Sequence, residues 1–273
     1  MWGVSPAYFI SRFSSAFTPD DMASVMPDIA SSGYDACEIE IFYPNRLDEW
    51  TSFTSKMLSS SARLAGIKIS CFAAHFLLNA FSSNDTLMSD YGIAEFDRVS
   101  EIASELGTDC IIVPIPAFSS AIEEHTKSRF ITKLESMLSI AARHKKYLAL
   151  EIMPDSLLSC MDDMSRLFSI LDDSHLGLNL DTGHFNAMGI PPHLVADSFS
   201  HKIFATHLCD NDSLENLSLV PGDGNINWTT LMDILTKQCA PVSMDIEIIC
   251  PPEDVTEKYR NALLFLSNKE YKE

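Results

Sequence analysis

Several short apolar runs along this chain end in a carboxylate or a histidine. The clearest example is Leu176–Asp181, which is interrupted only by Asn179 and is followed at once by Thr182-Gly183-His184. A run of this length and composition predicts a buried strand. For Asp181 or His184 alone, a helix cap or a core histidine would be the ordinary interpretation. Because the pattern recurs in other runs, we expect the strand ends to meet at one site.

The apolar runs alternate with helical patterns along the chain. Strands that are apolar over most of their length are typical of a parallel sheet covered by helices. Eight alternations without a Pro- or Gly-rich linker predict an α/β fold, a single (β/α)8 TIM barrel in one domain spanning residues 1–273. A doubly wound open sheet is the competing fold, but Ser5 to Ser14 contains no glycine for a dinucleotide-binding loop. The predicted strands are Ser5–Phe9, Ala36–Phe42, Ile67–Phe76, Cys110–Val113, Tyr147–Ile152, Leu176–Asp181, Ile203–His207 and Val242–Ile249.

Local signals predict where several helices begin and end. Thr18-Pro19-Asp20-Asp21 supplies an N-cap, a proline at the first helical position and an acidic third residue. Gly107 is placed to end a helix, and Asn227 to begin one. Longer helices are predicted over Leu47–Leu64 and Ser120–His144, and a long polar loop over Asn79–Asp90.

The charge balance bears on the partners of the chain. There are 38 acidic residues against 19 basic ones, a formal net charge of −19, and no basic cluster of the kind that grips phosphates. Such a surface repels polyanions, so we expect neither nucleic acid nor an anionic membrane as a partner. Solubility is the simplest role of this charge. The sequence leaves the oligomeric state open, a homo-oligomer included.

The cysteines and the N-terminus favour a cytoplasmic location. The seven cysteines are an odd number without CxxC spacing, and most lie in or beside apolar runs, as reduced and buried cysteines do. Met1 to Ser5 lacks the basic segment and apolar core of a secretion signal. The chain also has no apolar run near the roughly 20 residues that span a bilayer.

Glu151, Asp181, His207 and Glu247 lie at or near the ends of four successive predicted strands. In a barrel these ends converge on one mouth. Three carboxylates brought together would repel each other unless a cation neutralised them, so we predict one divalent metal ion. Ligands that are mostly oxygen with one imidazole favour Mn²⁺ or Mg²⁺, with Co²⁺ and Zn²⁺ as the other candidates. Separate caps and salt bridges at each strand end are the alternative.

Two further histidines are predicted at the same mouth. His75 lies near the end of the third strand, and His184 follows Asp181 by three residues. Each could orient a metal ligand or bind substrate, and for His75 a core or loop role is the alternative. Asp210, just after the seventh strand, could bind a substrate hydroxyl, with loop solvation as the alternative reading.

The chain resembles the xylose isomerase-like barrels, which include sugar isomerases, keto-sugar epimerases, hydroxypyruvate isomerases, inosose dehydratases and endonuclease IV. The resemblance implies that Glu151, Asp181, His207 and Glu247 hold one metal ion. It also implies that Glu151 and Glu247 move protons as catalytic residues and that His184 binds a substrate oxygen. The motifs that carry it are Leu148-Ala149-Leu150-Glu151, Asp181-Thr182-Gly183-His184, His207-Leu208-Cys209-Asp210, Pro221-Gly222-Asp223-Gly224-Asn225-Ile226 and Glu247.

Departures from the family patterns narrow the substrate. Endonuclease IV carries extra ligands where this chain has Val113-Pro114-Ile115 and Asn216-Leu217-Ser218. The epimerases place an Arg beyond the seventh strand, where this chain has Ser213. The segments that follow strands four to eight contain no Lys or Arg, which a phosphorylated substrate would need. Arg46 is the only base that we place near the mouth, with a solvated surface charge as the alternative.

The sequence therefore predicts a metal-dependent sugar isomerase or epimerase. Its small-molecule substrate would be an unphosphorylated keto-sugar, a polyol-derived ketone or a similar hydroxy-carbonyl compound, converted through an enediolate by glutamate-mediated proton transfer. Three alternatives remain: an inosose dehydratase-type lyase, an endonuclease IV-like phosphodiesterase and a non-catalytic sugar-binding barrel.

Overall fold

Eight parallel strands close into a barrel in chain order in the computed structural model, which describes residues 1–213 and 216–268. β1 pairs with both β2 and β8, and this pairing closes the sheet. The predicted (β/α)8 TIM barrel is confirmed. The strands are β1 Trp2–Val4, β2 Ala36–Ile41, β3 Lys68–Ala74, β4 Cys110–Ile115, β5 Tyr147–Ile152, β6 Leu176–Asp181, β7 Ile203–Leu208 and β8 Met244–Ile246.

Helices cover the outside of the barrel, and short 3-10 turns occur at Pro44–Glu49, His75–Phe81, Ser200–Lys202 and Pro252–Asp254. In the described part of the chain, no helix is both long and apolar enough to cross a membrane. The α-helices are α1 Ala7–Phe13, α2 Pro19–Ser24, α3 Met26–Ser31, α4 Ser52–Ala65, α5 Asn84–Met88, α6 Ile93–Leu106, α7 Thr126–His144, α8 Met161–Ile170, α9 Thr182–Ala187, α10 Pro192–Ser198, α11 Trp228–Lys237 and α12 Val255–Ser267.

The predicted capping signals are found where the sequence placed them. The Thr18 hydroxyl accepts from the Asp21 amide, and the Asp21 carboxylate accepts from the Thr18 amide, which is a complete capping box. Gly107 ends α6 with φ of 80°, a left-handed conformation that favours glycine. The Asn227 side chain accepts from the Thr230 amide at the start of α11.

The first strand differs from its prediction. β1 is Trp2–Val4, and most of the predicted strand Ser5–Phe9 belongs to helix α1. A short apolar run does not by itself distinguish a strand from a buried helix. Here Pro6 lies at the N-cap, and the Ala7 amide donates to the Ser5 hydroxyl at 3.2 Å, so the chain turns into a helix directly after β1.

Several predicted boundaries also shift. The predicted polar loop Asn79–Asp90 contains the end of a 3-10 turn and helix α5, which begins with a Ser83–Thr86 capping box. Lys133 of α7 supports this segment, because its buried ammonium donates to the carbonyl oxygens of Ala80, Thr86 and Tyr91. Other differences are that α4 begins at Ser52, α7 begins at Thr126, β4 continues through Pro114 to Ile115, and β8 ends at Ile246.

Two apolar layers stabilise the barrel. The larger one lies between the strands and the helices and takes most of the buried Leu, Ile and Phe side chains. The smaller one, the inner layer, lies on the inside of the barrel. It is built mainly from small side chains: Cys71, Ala73, Cys110, Ile112, Ala149 and Ala205. Because strand residues alternate between the two faces of a sheet, the polar strand residues that do not join the outer layer point into the barrel.

Candidate metal centre

The four residues predicted as metal ligands come together in the structure. One ligand atom from each of Glu151, Asp181, His207 and Glu247 lies within 4.8 Å of the others. His207 Nδ1 lies 2.7 Å from Glu151 Oε1, 3.1 Å from Glu247 Oε2 and 3.9 Å from Asp181 Oδ2. This geometry depends on strand register, because Asp181 and His207 are direct partners on β6 and β7.

Asp181 shows why a cation fits this cluster. Its Oδ1 accepts from the His184 amide at 2.9 Å and caps helix α9. Its Oδ2 is buried, and among residues 1–213 and 216–268 it has no hydrogen-bond partner. A buried carboxylate oxygen without a partner is costly unless an ion or a ligand satisfies it. The donor set of three carboxylates and one imidazole suits a divalent metal ion.

The electrostatics of the cluster are shaped by burial and by His207. Burial raises the pKa of Glu247 to about 7. Burial would also raise the pKa of Glu151, but the charge and hydrogen bond of His207 outweigh it and lower this pKa to about 2. Burial lowers the pKa of His207, yet the neighbouring carboxylates, led by Glu38, raise this pKa well above its ordinary value. These shifts favour the protonated forms of Glu247 and His207 and the ionised form of Glu151.

Glu38 and Asn179 contact the cluster but were not identified as site residues from the sequence. Glu38 on β2 places Oε2 3.1 Å from His207 Nε2, on the side of the ring away from the other carboxylates. Asn179 on β6 donates from Nδ2 to Glu151 Oε1 at 3.3 Å. The signal for both was available, because each is a polar residue inside a strand that is mostly apolar.

A cavity of about 210 Å³ opens above the cluster. Its wall includes Glu151, His207 and Glu247, together with Glu40, His75 and His184, and its described lining contains no Lys or Arg. The lining residues thus offer carboxylates and imidazoles, which suit hydroxyl groups better than phosphates.

The two histidines predicted near the mouth both line this cavity. His184 Nδ1 lies 3.2 Å from Asp181 Oδ2, without forming a hydrogen bond to it. His75 stacks on the Phe42 ring with centroids 4.2 Å apart, and its Nδ1 lies 3.4 Å from Glu40 Oε1. Burial lowers the pKa of His75, but the hydrogen bond and charge of Glu40 outweigh it and raise this pKa above its ordinary value. The pairing with Glu40 was not foreseen.

Asp210 lies apart from the cavity lining. It is fully buried, and its carboxylate accepts hydrogen bonds from the amides of Asn211, Gly222 and Ile226 and from the Trp228 indole. These bonds organise the loop after β7. The geometry therefore gives no support to the predicted substrate contact of Asp210.

Arg46 and Ser213, the other two positions considered near the mouth, also form contacts outside the cavity lining. Arg46 pairs with Glu49 at 3.1 Å within its own 3-10 turn. The Ser213 hydroxyl donates to Asn186 at 2.8 Å and to Asn225 at 3.0 Å. Neither side chain supplies a charge to the described cavity wall.

Comparison with known proteins identifies the family. The xylose isomerase-like TIM barrel family model matches residues 27–269, and the chain therefore belongs to this family. An uncharacterized protein of Methanocaldococcus jannaschii is 27% identical over 244 residues, which cover 82% of this chain and 78% of that protein. The inosose isomerase of Bacillus subtilis is 24% identical over 180 residues, 63% of this chain. The match spans 65% of that enzyme, just under two thirds of its length.

Solved structures share the fold over nearly the whole chain. The IOLI protein with a bound zinc atom superposes with a TM-score of 0.76 at 18% identity, covering 100% of this chain and 99% of its own. The D-psicose 3-epimerase of Clostridium cellulolyticum H10 with D-tagatose gives a TM-score of 0.78 at 15% identity, covering 98% of both chains. At these identities the similarity establishes the shared fold.

Proposed function

We propose that this protein is a metal-dependent isomerase or epimerase acting on a neutral polyhydroxy ketone. The observation that carries the proposal is the convergence of Glu151, Asp181, His207 and Glu247. Three of them, Glu151, His207 and Glu247, line a cavity whose described lining has no Lys or Arg. The names of the related proteins, an inosose isomerase and a D-psicose 3-epimerase, support the same class of reaction.

The four side chains would hold one divalent ion. The oxygen-rich donor set favours Mn²⁺ or Mg²⁺, and the zinc atom of the IOLI protein keeps Zn²⁺ among the candidates, with Co²⁺. When bound, such an ion would acidify the C–H group next to a substrate carbonyl and offset the negative charge that develops there.

Glu151 and Glu247 would carry out the proton transfers. One carboxylate removes the proton next to the carbonyl, which leaves an enediolate in the substrate. The other returns a proton to the opposite face, giving an epimer, or to the adjacent carbon, giving an isomer. Both side chains line the cavity, so each can reach a substrate that lies over the cluster.

Glu40, His75 and His184 would bind the hydroxyl groups of the substrate. Glu40 Oε2 is buried without a hydrogen-bond partner in the described part of the chain, so it is free to accept a bond from a hydroxyl. His75 is held in place by its stacking on Phe42 and by Glu40. A phosphate or carboxylate would instead meet an acidic wall whose described lining has no Lys or Arg, which favours neutral substrates.

Metal analysis combined with deuterium uptake tests the proposal. The purified protein, loaded with Mn²⁺, should incorporate deuterium from D₂O into at least one compound of a panel containing D-fructose, D-psicose, D-tagatose, L-ribulose and an inosose. Glu151→Gln and Glu247→Gln should each abolish uptake. Glu49→Gln, which removes an exposed carboxylate paired with Arg46, should leave uptake unchanged.

Each other outcome of this experiment has a defined reading. Uptake that persists in the Glu151→Gln variant would contradict the proton-transfer role. Loss of water from the substrate would indicate a dehydratase. In a separate assay, nicking of an abasic DNA duplex would indicate a phosphodiesterase. Sugar binding that is indifferent to a chelator, with no uptake by any compound, would favour a non-catalytic barrel.

A further inference from the structure

We propose that Glu38 is a positioning residue that fixes the proton of His207 on Nε2 and thereby presents Nδ1 to the metal ion. The inference rests on the proposed function, because it concerns how one of the four ligands is held. It assigns a role to a carboxylate on β2. The four proposed ligands lie much later in the sequence, on β5, β6 and β7 and directly after β8.

The imidazole of His207 lies between Glu38 on one side and the carboxylates of Glu151 and Glu247 on the other. On one side, Nδ1 is 2.7 Å from Glu151 and 3.1 Å from Glu247. On the other side, Nε2 is 3.1 Å from Glu38 Oε2. His207 and Glu38 are both buried, so solvent does not compete for either ring nitrogen.

Metal ligation requires one particular tautomer of this ring. A neutral imidazole carries one N–H, and the nitrogen that binds a metal must keep its lone pair. Since Nδ1 faces the ligand cluster, the proton must lie on Nε2 and needs an acceptor. The Glu38 carboxylate provides that acceptor, in the carboxylate–histidine–metal arrangement known from other metal sites.

Apart from His207, the described surroundings of Glu38 offer no hydrogen bond that would explain why this carboxylate is buried. Its other oxygen, Oε1, is buried without a hydrogen-bond partner within residues 1–213 and 216–268. Hence the bond to His207 is the only one found for this carboxylate in the described structure. A buried carboxylate with one hydrogen bond costs stability rather than adding it, so an apolar side chain would serve the fold better here.

The experiment compares Glu38→Leu and Glu38→Gln with wild type, and uses Cys71→Ala as the matched control. Cys71 belongs to the same inner layer and is fully buried, and no hydrogen bond links it to His207 in the described structure. Mn²⁺ affinity would be measured by following free Mn²⁺ in a titration of chelator-stripped protein. The ¹⁵N shifts of the His207 ring, recorded on the Zn²⁺-loaded protein, would report the tautomer.

We expect Glu38→Leu to weaken Mn²⁺ binding by about 10- to 100-fold, as loss of such an outer partner does elsewhere. The ¹⁵N shifts should report a disturbed ring, while the thermal midpoint stays equal to or above that of wild type. Glu38→Gln keeps an acceptor oxygen and should lose less affinity, and Cys71→Ala should match wild type. A purely structural role would instead lower the thermal midpoint and leave the ring shifts unchanged.

Two further results would overturn the inference alone. In the first, Glu38→Leu binds Mn²⁺ as wild type does, with unchanged ring shifts. In the second, wild type binds two ions, whereas Glu38→Leu and Cys71→Ala each bind only one. That result would make Glu38 a ligand of a deeper site with Cys71 and Asp245. A wild-type protein that binds neither Mn²⁺ nor Zn²⁺ would overturn the proposed function as well.

Discussion

Asn179 and Glu151 face each other across the β5–β6 pairing, and the Asn179 amide donates to Glu151 Oε1 at 3.3 Å. The same oxygen is the one that lies 2.7 Å from His207 Nδ1. Asn179 is fully buried, so the bond is shielded from water. The amide therefore helps to fix which way the carboxylate of Glu151, the proposed metal ligand and base, turns.

We predict that Asn179→Leu weakens Mn²⁺ binding and slows deuterium uptake, each by about tenfold. Leucine keeps the volume of the side chain but removes the donor, so the Glu151 carboxylate loses one of the contacts that hold it. A titration of the metal-free variant, followed by the uptake assay at saturating Mn²⁺, separates the two effects. Wild-type values in both measurements would contradict the prediction.

The metal-free protein should lose stability as the pH rises from about 5 to about 8. Burial raises the pKa of Glu247 to about 7 and that of Asp245 to about 6, from ordinary values of 4.5 and 3.8. In this range the native state therefore binds more protons than the unfolded state, so the free energy of unfolding falls as the pH increases. The raised pKa of His207 acts in the same direction, whereas the lowered pKa of Glu151 matters only at more acidic pH.

Thermal melts in a chelator across this pH range would measure the effect. Glu247→Gln should reduce the dependence and so separate the contribution of Glu247 from the general repulsion of a chain with a net charge of −19. Excess Mn²⁺ should reduce the dependence as well, because the ion takes the place of the protons. A melting temperature that rises with pH in the chelator would contradict the prediction.

Asp210 should matter for stability through the loop that it organises. Asp210→Ala leaves four buried or partly buried donors without their acceptor, including the Trp228 indole at 2.7 Å, and should lower the free energy of unfolding by about 3 kcal/mol. Trp228→Phe removes one of these donors and should cost less. Asp223→Ala, at an exposed aspartate of the same loop, is the control. Denaturant unfolding in which Asp210→Ala and the control coincide would refute this role.

Glu40 should affect substrate binding more than the chemical step. Glu40→Gln removes the charge that orients His75 and replaces one acceptor oxygen with a donor. For a ketose that shows deuterium uptake, we predict a KM about tenfold higher, equivalent to about 1.4 kcal/mol, with little change in kcat. Glu49→Gln provides the control. A fall in kcat with KM unchanged would instead place Glu40 in the proton transfer.

Much of the barrel could be predicted because its signals are local. Capping residues such as Thr18 and apolar runs such as Tyr147–Ile152 predict local structure from a few neighbouring positions, and both predictions are confirmed. The convergence of Glu151 and Asp181 followed from topology, since parallel strands of a barrel end at the same mouth. Ser5–Phe9 was mispredicted because five apolar or small residues fit a helix as well as a strand.

Identifying the polar residues inside the barrel requires following how side chains alternate between the inner and outer faces of each strand. Cys37 and Ile39 pack in the outer layer, so Glu38 and Glu40 must point to the inner face of β2. That pattern was present in the sequence, but which inner residue meets His207 depends on the tilt and register of the closed sheet. The role of Asp210 was beyond local reasoning, because its indole partner is 18 residues away.

The alanines and cysteines on the inner wall carry a consequence for how this barrel can diverge. Ala149 and Ala205 contribute no ligand, yet their lack of bulk leaves the interior to polar side chains. Exchange of either for a leucine would crowd those side chains without touching a single coordinating atom. Positions whose side chains take no part in the chemistry thus limit which reactions a descendant of this chain could acquire.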